Sequence, residues 1–186
     1  GQTGPDSDRA GHDLTYAARA GLLDRFRQSR DQAEGDSPPV IPRAQIADVS
    51  GALFAAIKIV ATLLGRGRHG ERGEHLDVSM TESALSLLAP QLTADAAAEV
   101  ESASDLLGGD RPAYTIYQTA DDRHLAVGGL EPKFWQAFIE ELDAPELATD
   151  GLAGGENAAH ARRQVADIIE QAPLETWLER FEGVDA

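Results

Sequence analysis

The chain has 186 residues and 19.8 kDa, and 32 Asp+Glu against 16 Lys+Arg set a formal net charge of -16 and a pI near 4.5. Such acidity argues against a binder of duplex nucleic acid or of an anionic membrane, because phosphate recognition needs a basic surface. No apolar run approaches the ~20 residues of a membrane span, and the absence of cysteine excludes disulfides, thiolate metal sites and a cysteine nucleophile.

Hydrophobic residues make up 42%, enough for a real core rather than a disordered acidic tail. The chain opens on Gly1, and its single methionine is Met80. It stops at FEGVDA directly after a helical pattern, so it reads as a piece of a longer protein. Fourteen of the 16 basic residues are arginine, leaving only Lys58 and Lys133. Surplus carboxylates with almost no lysine fit a protein adapted to high salt, where screening relieves self-repulsion.

Residues 1–13 form a Gly/Pro/Asp loop that leads into the apolar stretch LTYAARAGLLDRF. Residues 27–43 are charged and proline-rich without a usable period, the signature of a surface loop. ADVSGALFAAIKIVATLLGR (47–66) then predicts a helix apolar on most of its circumference, capped by Asp48 or Ser50 and ended by Gly65 and Gly67. After the polar turn GRHGERGE, HLDVSM alternates like a short strand, and TESALSLLAPQL predicts a helix broken near Pro90. The Ala- and acid-rich stretch 93–110 reads as a link between two bodies. TIYQT and HLAVG flank ADDR as a β-hairpin. An amphipathic helix follows, with Pro132 in its first turn and Phe134, Phe138 and Leu142 on one face. Two more helices, ENAAHARRQVADIIEQA and PLETWLERFEG, complete the pattern, the second with Leu174, Trp177, Leu178 and Phe181 on one stripe.

The sequence has no phosphate loop, GxSxG, HExxH or CxxC, and the glycines of LLGRGRHG follow a helix instead of a strand, so a dinucleotide fingerprint is rejected. His69, His75, His124 and His160 sit in polar contexts that read as surface. His12, in AGHDLTY, stands between a Gly-rich loop and a helix start, where the dipole disfavours imidazolium and suits a general base; a structural histidine fits the same context. Asp48 at the head of an apolar helix is a plain N-cap or, if buried, an acid. Glu131, ahead of Pro132, repeats that ambiguity.

Four blocks in order, GQTGPDSDRAGHDLTYAARAG, ADVSGALFAAIKIVATLLGR, GERGEHLDVSM and AVGGLEPKFW, resemble the family III CoA-transferases (the CaiB/BaiF group), in particular the α-methylacyl-CoA racemase branch. GHDLTY and LEPKF carry the racemase part of the likeness. The resemblance implies a two-base isomerase acting on acyl-CoA thioesters of fatty acid metabolism. His12 and Asp48 match the catalytic pair, and Glu131 matches a glutamate that orients the histidine. Asp13 would supply a backbone N–H to the thioester oxygen, and Tyr16 either lines the pocket or packs in the core. No metal or other cofactor is implied, coenzyme A being part of the substrate. Departures are the long acidic segment 27–43 and, in GERGE, a glutamate where glutamine is common and a turn one residue longer.

The implied fold is α/β: a fragment of the family fold made of the helical part of the large domain (1–78), a linker (79–110) and a small α+β domain (111–186). By the same resemblance the protein is expected to be an interlocked homodimer, with Glu131 coming from the partner; a cytoplasmic protein that binds neither nucleic acid nor membrane is expected beside it. Burial by partner or absent segments would also explain a helix as apolar as 49–64. The resemblance leaves two other functions open: CoA transfer between acids with Asp48 as nucleophile, and a silent assembly domain. Because the family's nucleotide-binding segment has no counterpart here, this chain alone is expected to lack most of a CoA site. The charge balance generates a direct test: at molar potassium chloride the Debye length falls to roughly 3 Å, so the thermal unfolding midpoint should rise steeply from dilute buffer. A flat or falling midpoint in calorimetry removes the salt-adapted reading.

Overall fold

A computed structural model describes residues 1–26, 38–69, 73–96 and 106–185. The expected loop at 27–37, the middle of the turn at 70–72 and the acidic stretch at 97–105 lie outside the described residues. The fold is mixed α and β, mostly helical, with one small antiparallel sheet. The chain divides into two compact units, Gly1–Thr93 and Ala94–Ala186. The division falls inside the span 79–110 expected to join two bodies.

In the first unit, helix α1 (Asp13–Arg19) leads into a 3₁₀ turn (Leu22–Phe26). Helix α2 (Ile46–His69) follows, then α3 (Met80–Ser86). The break near Pro90 that the sequence predicts falls at Leu87 and Leu88, and helix α4 (Ala89–Ala96) follows with Pro90 in its first turn. The core here is small and made of small residues: Ala17, Ala20, Leu22, Ala47, Ala84 and Leu88. Small side chains let α1, α2 and α3 approach closely. Gly51 shows how closely, since a Cβ there would lie 2.9 Å from Met80 Cγ.

Helix α2 departs from expectation in three ways. It starts at Ile46, so Asp48 lies inside the first turn and is not its cap, and Ser50 instead donates back to the Ala47 carbonyl. It runs through Gly65 and Gly67 to His69, because a glycine costs a helix only ~1 kcal/mol and ends it only where the backbone turns left-handed. Its apolar side is exposed: Leu53 is 60% and Ile57 61% accessible, with Val49, Ile59, Val60, Leu63 and Leu64 also open. Moreover, Ile46–Arg66 is long and apolar enough, by length and composition, to cross a membrane. The reading from uninterrupted runs misses this because Lys58 breaks the run without making the segment polar. One such helix is weak evidence of a span, and Lys58 is itself used, its Nζ donating to the Asp77 carbonyl at 3.1 Å. HLDVSM (75–80), expected as a strand, forms none: Met80 opens α3, and residues 73–79 run beside α2 without a ladder partner among the described residues. They are held by that contact, by Thr62 donating to Glu74, and by the Gln2 N–H donating to the Asp77 carboxylate at 2.8 Å.

The second unit has a conventional core. Strands β1 (Tyr114–Gln118) and β2 (His124–Gly128) pair antiparallel, Tyr114 opposite Gly128 and Gln118 opposite His124, with Asp122 left-handed in the turn. Tyr117 and Val127 face inward onto helix α5 (Pro132–Glu141), a 3₁₀ turn (Pro145–Leu147), helix α6 (Gly155–Ile169) and helix α7 (Leu174–Arg180). The buried side of α5 is Trp135, Phe138 and Ile139, continued by Leu142, while Phe134 is only half-buried. Trp177 of α7 is buried, whereas Leu178, expected on the same stripe, is exposed. Each buried aromatic polar group has an acceptor: Trp135 Nε1 on Leu147 O, Trp177 Nε1 on Ile169 O (both 2.9 Å), and Tyr117 Oη on Pro112 O (2.8 Å). Burial pushes the Tyr117 phenol well above its ordinary value. A Cβ on Gly151 would sit 2.7 Å from the Trp135 ring, so that position is closed to any larger residue.

Asp121 in the hairpin turn fastens this sheet to α7. Its Oδ1 accepts from the Thr119 hydroxyl at 2.5 Å and from the Leu174 N–H at 3.1 Å. The Thr119 bond above all holds its carboxyl below the usual carboxylate range, the Leu174 N–H adding to it against an opposing desolvation. A lowered folded value means that the contribution is present above the unfolded value and fades as pH falls through the folded one. Acid titration followed by tryptophan fluorescence should therefore show Asp121→Ala less stable near neutrality and less sensitive to acid than wild type. Parallel curves for the two proteins would refute the link.

Candidate active site

His12, Asp13 and Asp48 come together at one cavity of about 330 Å³ in the first unit. Two chain segments build it. The first is the start of α1, where His12 is extended (φ -129°, ψ 171°) and occupies the N-cap position. Thr15 fixes that turn: its hydroxyl accepts from the His12 N–H at 3.0 Å and donates to the His12 carbonyl at 2.8 Å. Gly11 is required just before, because a Cβ there would meet Thr15 Oγ1 at 2.8 Å and the Tyr16 ring at 2.9 Å. The second segment is residues 41–45 and the first turn of α2, which contribute Ile41, Pro42, Arg43, Gln45 and Asp48. Leu14, Ile41 and Pro42 make part of the lining apolar.

The two segments are joined by one carboxylate. Asp13 Oδ1 accepts from the Ala47 N–H at 2.6 Å and from the Asp48 N–H at 3.0 Å. These donors are among the first N–H groups of α2, which have no partner within the helix. The cap that the sequence assigns to Asp48 or Ser50 is thus supplied from 34 and 35 residues away. His12 and Asp48 are both exposed, in contrast to the buried acid considered for Asp48.

The other two residues that the resemblance implies, Tyr16 and Glu131, sit each within its own unit. Tyr16 packs against the core cluster of Ala17 and Ala47 and is not part of the cavity lining. Glu131 belongs to the second unit, exposed at the N-cap of α5, where its carbonyl accepts from Phe134 and Trp135. His75, His124 and His160 are exposed as expected. Among the described residues no three His, Asp or Glu side chains gather as metal ligands. Sequence reading missed Ile41, Pro42, Arg43 and Gln45; the run PPVIPR directly ahead of a helix was the available signal, since proline-stiffened segments hold side chains in place at little entropic cost.

Chemically, the cavity offers the His12 imidazole, the carboxylates of Asp13 and Asp48, the Arg43 guanidinium and the start of α1, whose leading N–H groups favour negative charge on a ligand oxygen. The family model for CoA-transferase family III matches residues 1–186. The α-methylacyl-CoA racemase of Homo sapiens is 29% identical over 189 residues, covering 100% of this chain and 48% of that protein. The succinyl-CoA:mesaconate CoA-transferase of Haloarcula hispanica is 28% identical, covering 92% of this chain and 42% of that one. Among solved structures, a hypothetical protein from Mycobacterium tuberculosis superposes with a TM-score of 0.71 at 23% identity, over 98% of this chain and 48% of its own. A CaiB/BaiF family protein from Brucella suis gives 0.67 at 22% identity, over 99% and 49%. The chain spans about half the length of the relatives it matches.

Proposed function

Since this chain belongs to CoA-transferase family III, we propose that the whole protein racemises or epimerises the α-carbon of a 2-methylacyl-CoA thioester by two-base proton transfer. The observation that carries this reading is that His12 and Asp48, on separate segments, line one cavity. A thioester acidifies its α-proton because the carbanion delocalises onto oxygen. One base takes that proton and its electron pair moves to the thioester oxygen as an enolate. An N–H at the start of α1, at Asp13, faces no intrahelical acceptor and is free to stabilise that oxygen. The other group returns a proton to the opposite face of the carbon, inverting it; for the mirror-image substrate the two exchange roles. This chemistry draws on no metal or redox group. Glu131 would orient His12 from the small domain of a second copy in an interlocked cytoplasmic dimer, which would also cover the open side of α2.

The transferase reading has its own support in the named activity of the Haloarcula relative and in the accessibility of Asp48. There the Asp48 carboxylate attacks the thioester carbonyl, CoA thiolate leaves, and a mixed anhydride forms.

In the whole protein, α-deuterium incorporation from heavy water should proceed without added metal or nucleotide. His12→Ala and Asp48→Ala should each slow inversion by ~10²–10⁴-fold. Full activity in both variants ends the two-base reading, and rapid CoA transfer with hydroxylamine trapping of acylated Asp48 replaces it. For the 186-residue chain alone, calorimetry should find little or no CoA binding, the resemblance placing most phosphate and adenine contacts outside it; micromolar affinity would overturn that.

A further inference from the structure

We infer that Asp13 is a positioning residue whose carboxylate sets the spacing between the two bases, a role that rests on the two-base reading and is separate from its backbone N–H. His12 is the residue immediately before Asp13, and Asp48 is one of the two residues whose N–H groups Asp13 Oδ1 holds, at 3.0 Å, beside Ala47 at 2.6 Å. One oxygen atom therefore links the backbone next to one base with the backbone of the other. Among the described residues no second hydrogen bond joins these two backbones directly: Thr15 braces only His12, and Ser50 braces only the first turn of α2.

The local packing makes the link stiff. Asp13 is partly buried, and Ala47 is fully buried in the alanine-rich cluster between α1, α2 and α3. The carboxylate satisfies two leading helix N–H groups at once, and an anion is favoured at that helix end. Removing it leaves those donors to water and lets the start of α2 shift relative to α1. A displacement near 1 Å at a reacting group costs up to about 10²-fold in rate.

The consequence is selective. Exchange of the α-proton with retention needs a single base to take a proton and return one to the same face. Inversion needs both groups in register on opposite faces. Loss of the clamp therefore damages inversion far more than same-face exchange.

The experiment uses the whole protein with a chiral 2-methylacyl-CoA in deuterium oxide, measuring inversion and deuterium incorporation with retention in the same sample. Their ratio is independent of how much enzyme is folded. In Asp13→Ala the inversion-to-retention ratio should fall ~10-fold or more with KM changed much less than kcat, and Asp13→Asn, which keeps an acceptor oxygen, should recover most of it. Hydrogen exchange should show the Ala47 and Asp48 amides protected in wild type and Asp13→Asn but opened in Asp13→Ala. Equal loss of inversion and exchange in Asp13→Ala, or Asp13→Asn as impaired as Asp13→Ala, overturns the positioning role. A wild type that neither exchanges nor inverts overturns the racemase reading and the catalytic meaning of the clamp together, while amide protection still shows whether the clamp itself exists.

Discussion

A single carboxylate oxygen, Asp13 Oδ1, ties the beginning of one helix to the beginning of another. It joins the two segments that line the cavity. A charge-assisted hydrogen bond of this kind contributes about 1.5–3 kcal/mol, more than a typical contact between alanines, and alanines are most of what otherwise holds α1 against α2. The bond also explains why the long segment between the helices is tolerated. Loop closure grows only logarithmically with length, so doubling a loop costs about 0.6 kcal/mol, and a fixed clamp at its far end makes its length almost irrelevant to the site.

Legibility from sequence tracks how local the governing interaction is. The second unit was readable because its signals are short-range. Pro132 and Pro173 mark helix starts, ADDR marks a hairpin turn, and aromatic residues three and four apart mark a buried face. Leu178 is the exception, exposed because α7 is short and its buried side is already filled by Trp177 and Phe181. In the first unit the decisive contacts join residues 34 or more apart, and local rules assign them wrongly. Aspartate near the head of a helix reads as its own cap, whereas the cap came from Asp13, and the residue that precedes the helix, Gln45, has no capping preference. His12 and Asp48 were identified through resemblance; from the residues alone each had an equally good structural explanation.

Tyr16 illustrates the same limit from the other side. One turn beyond His12, it could have faced the cavity or the core, and periodicity does not choose between them. The choice follows from Gly11, where the Tyr16 ring comes so near the backbone that only glycine fits, which turns the ring inward toward Ala17 and Ala47. The glycine in AGHD is thus part of how the histidine is presented: it makes room for the aromatic ring that anchors the turn carrying His12.

The two units also differ in how far they satisfy themselves. The second buries two tryptophans, Phe138, Ile139, Val165 and Ile169 in one cluster with every indole N–H bonded. The first leaves seven large aliphatic side chains of α2 in solvent, from Val49 to Leu64. Complete burial of such a side chain is worth about 1.5–3 kcal/mol, and these are still 49–61% accessible, so finishing their burial represents on the order of 6–12 kcal/mol, an upper bound because unfolded chains already bury some apolar surface. That sum is comparable to the entire net stability of an ordinary domain, about 5–15 kcal/mol. A surface that closed over α2 would therefore act on the stability of the unit that carries His12 and Asp48. The Asp13 clamp holds the first turn of α2 and the open apolar side runs from Val49 in that turn to Leu64, so both would act on one rigid rod.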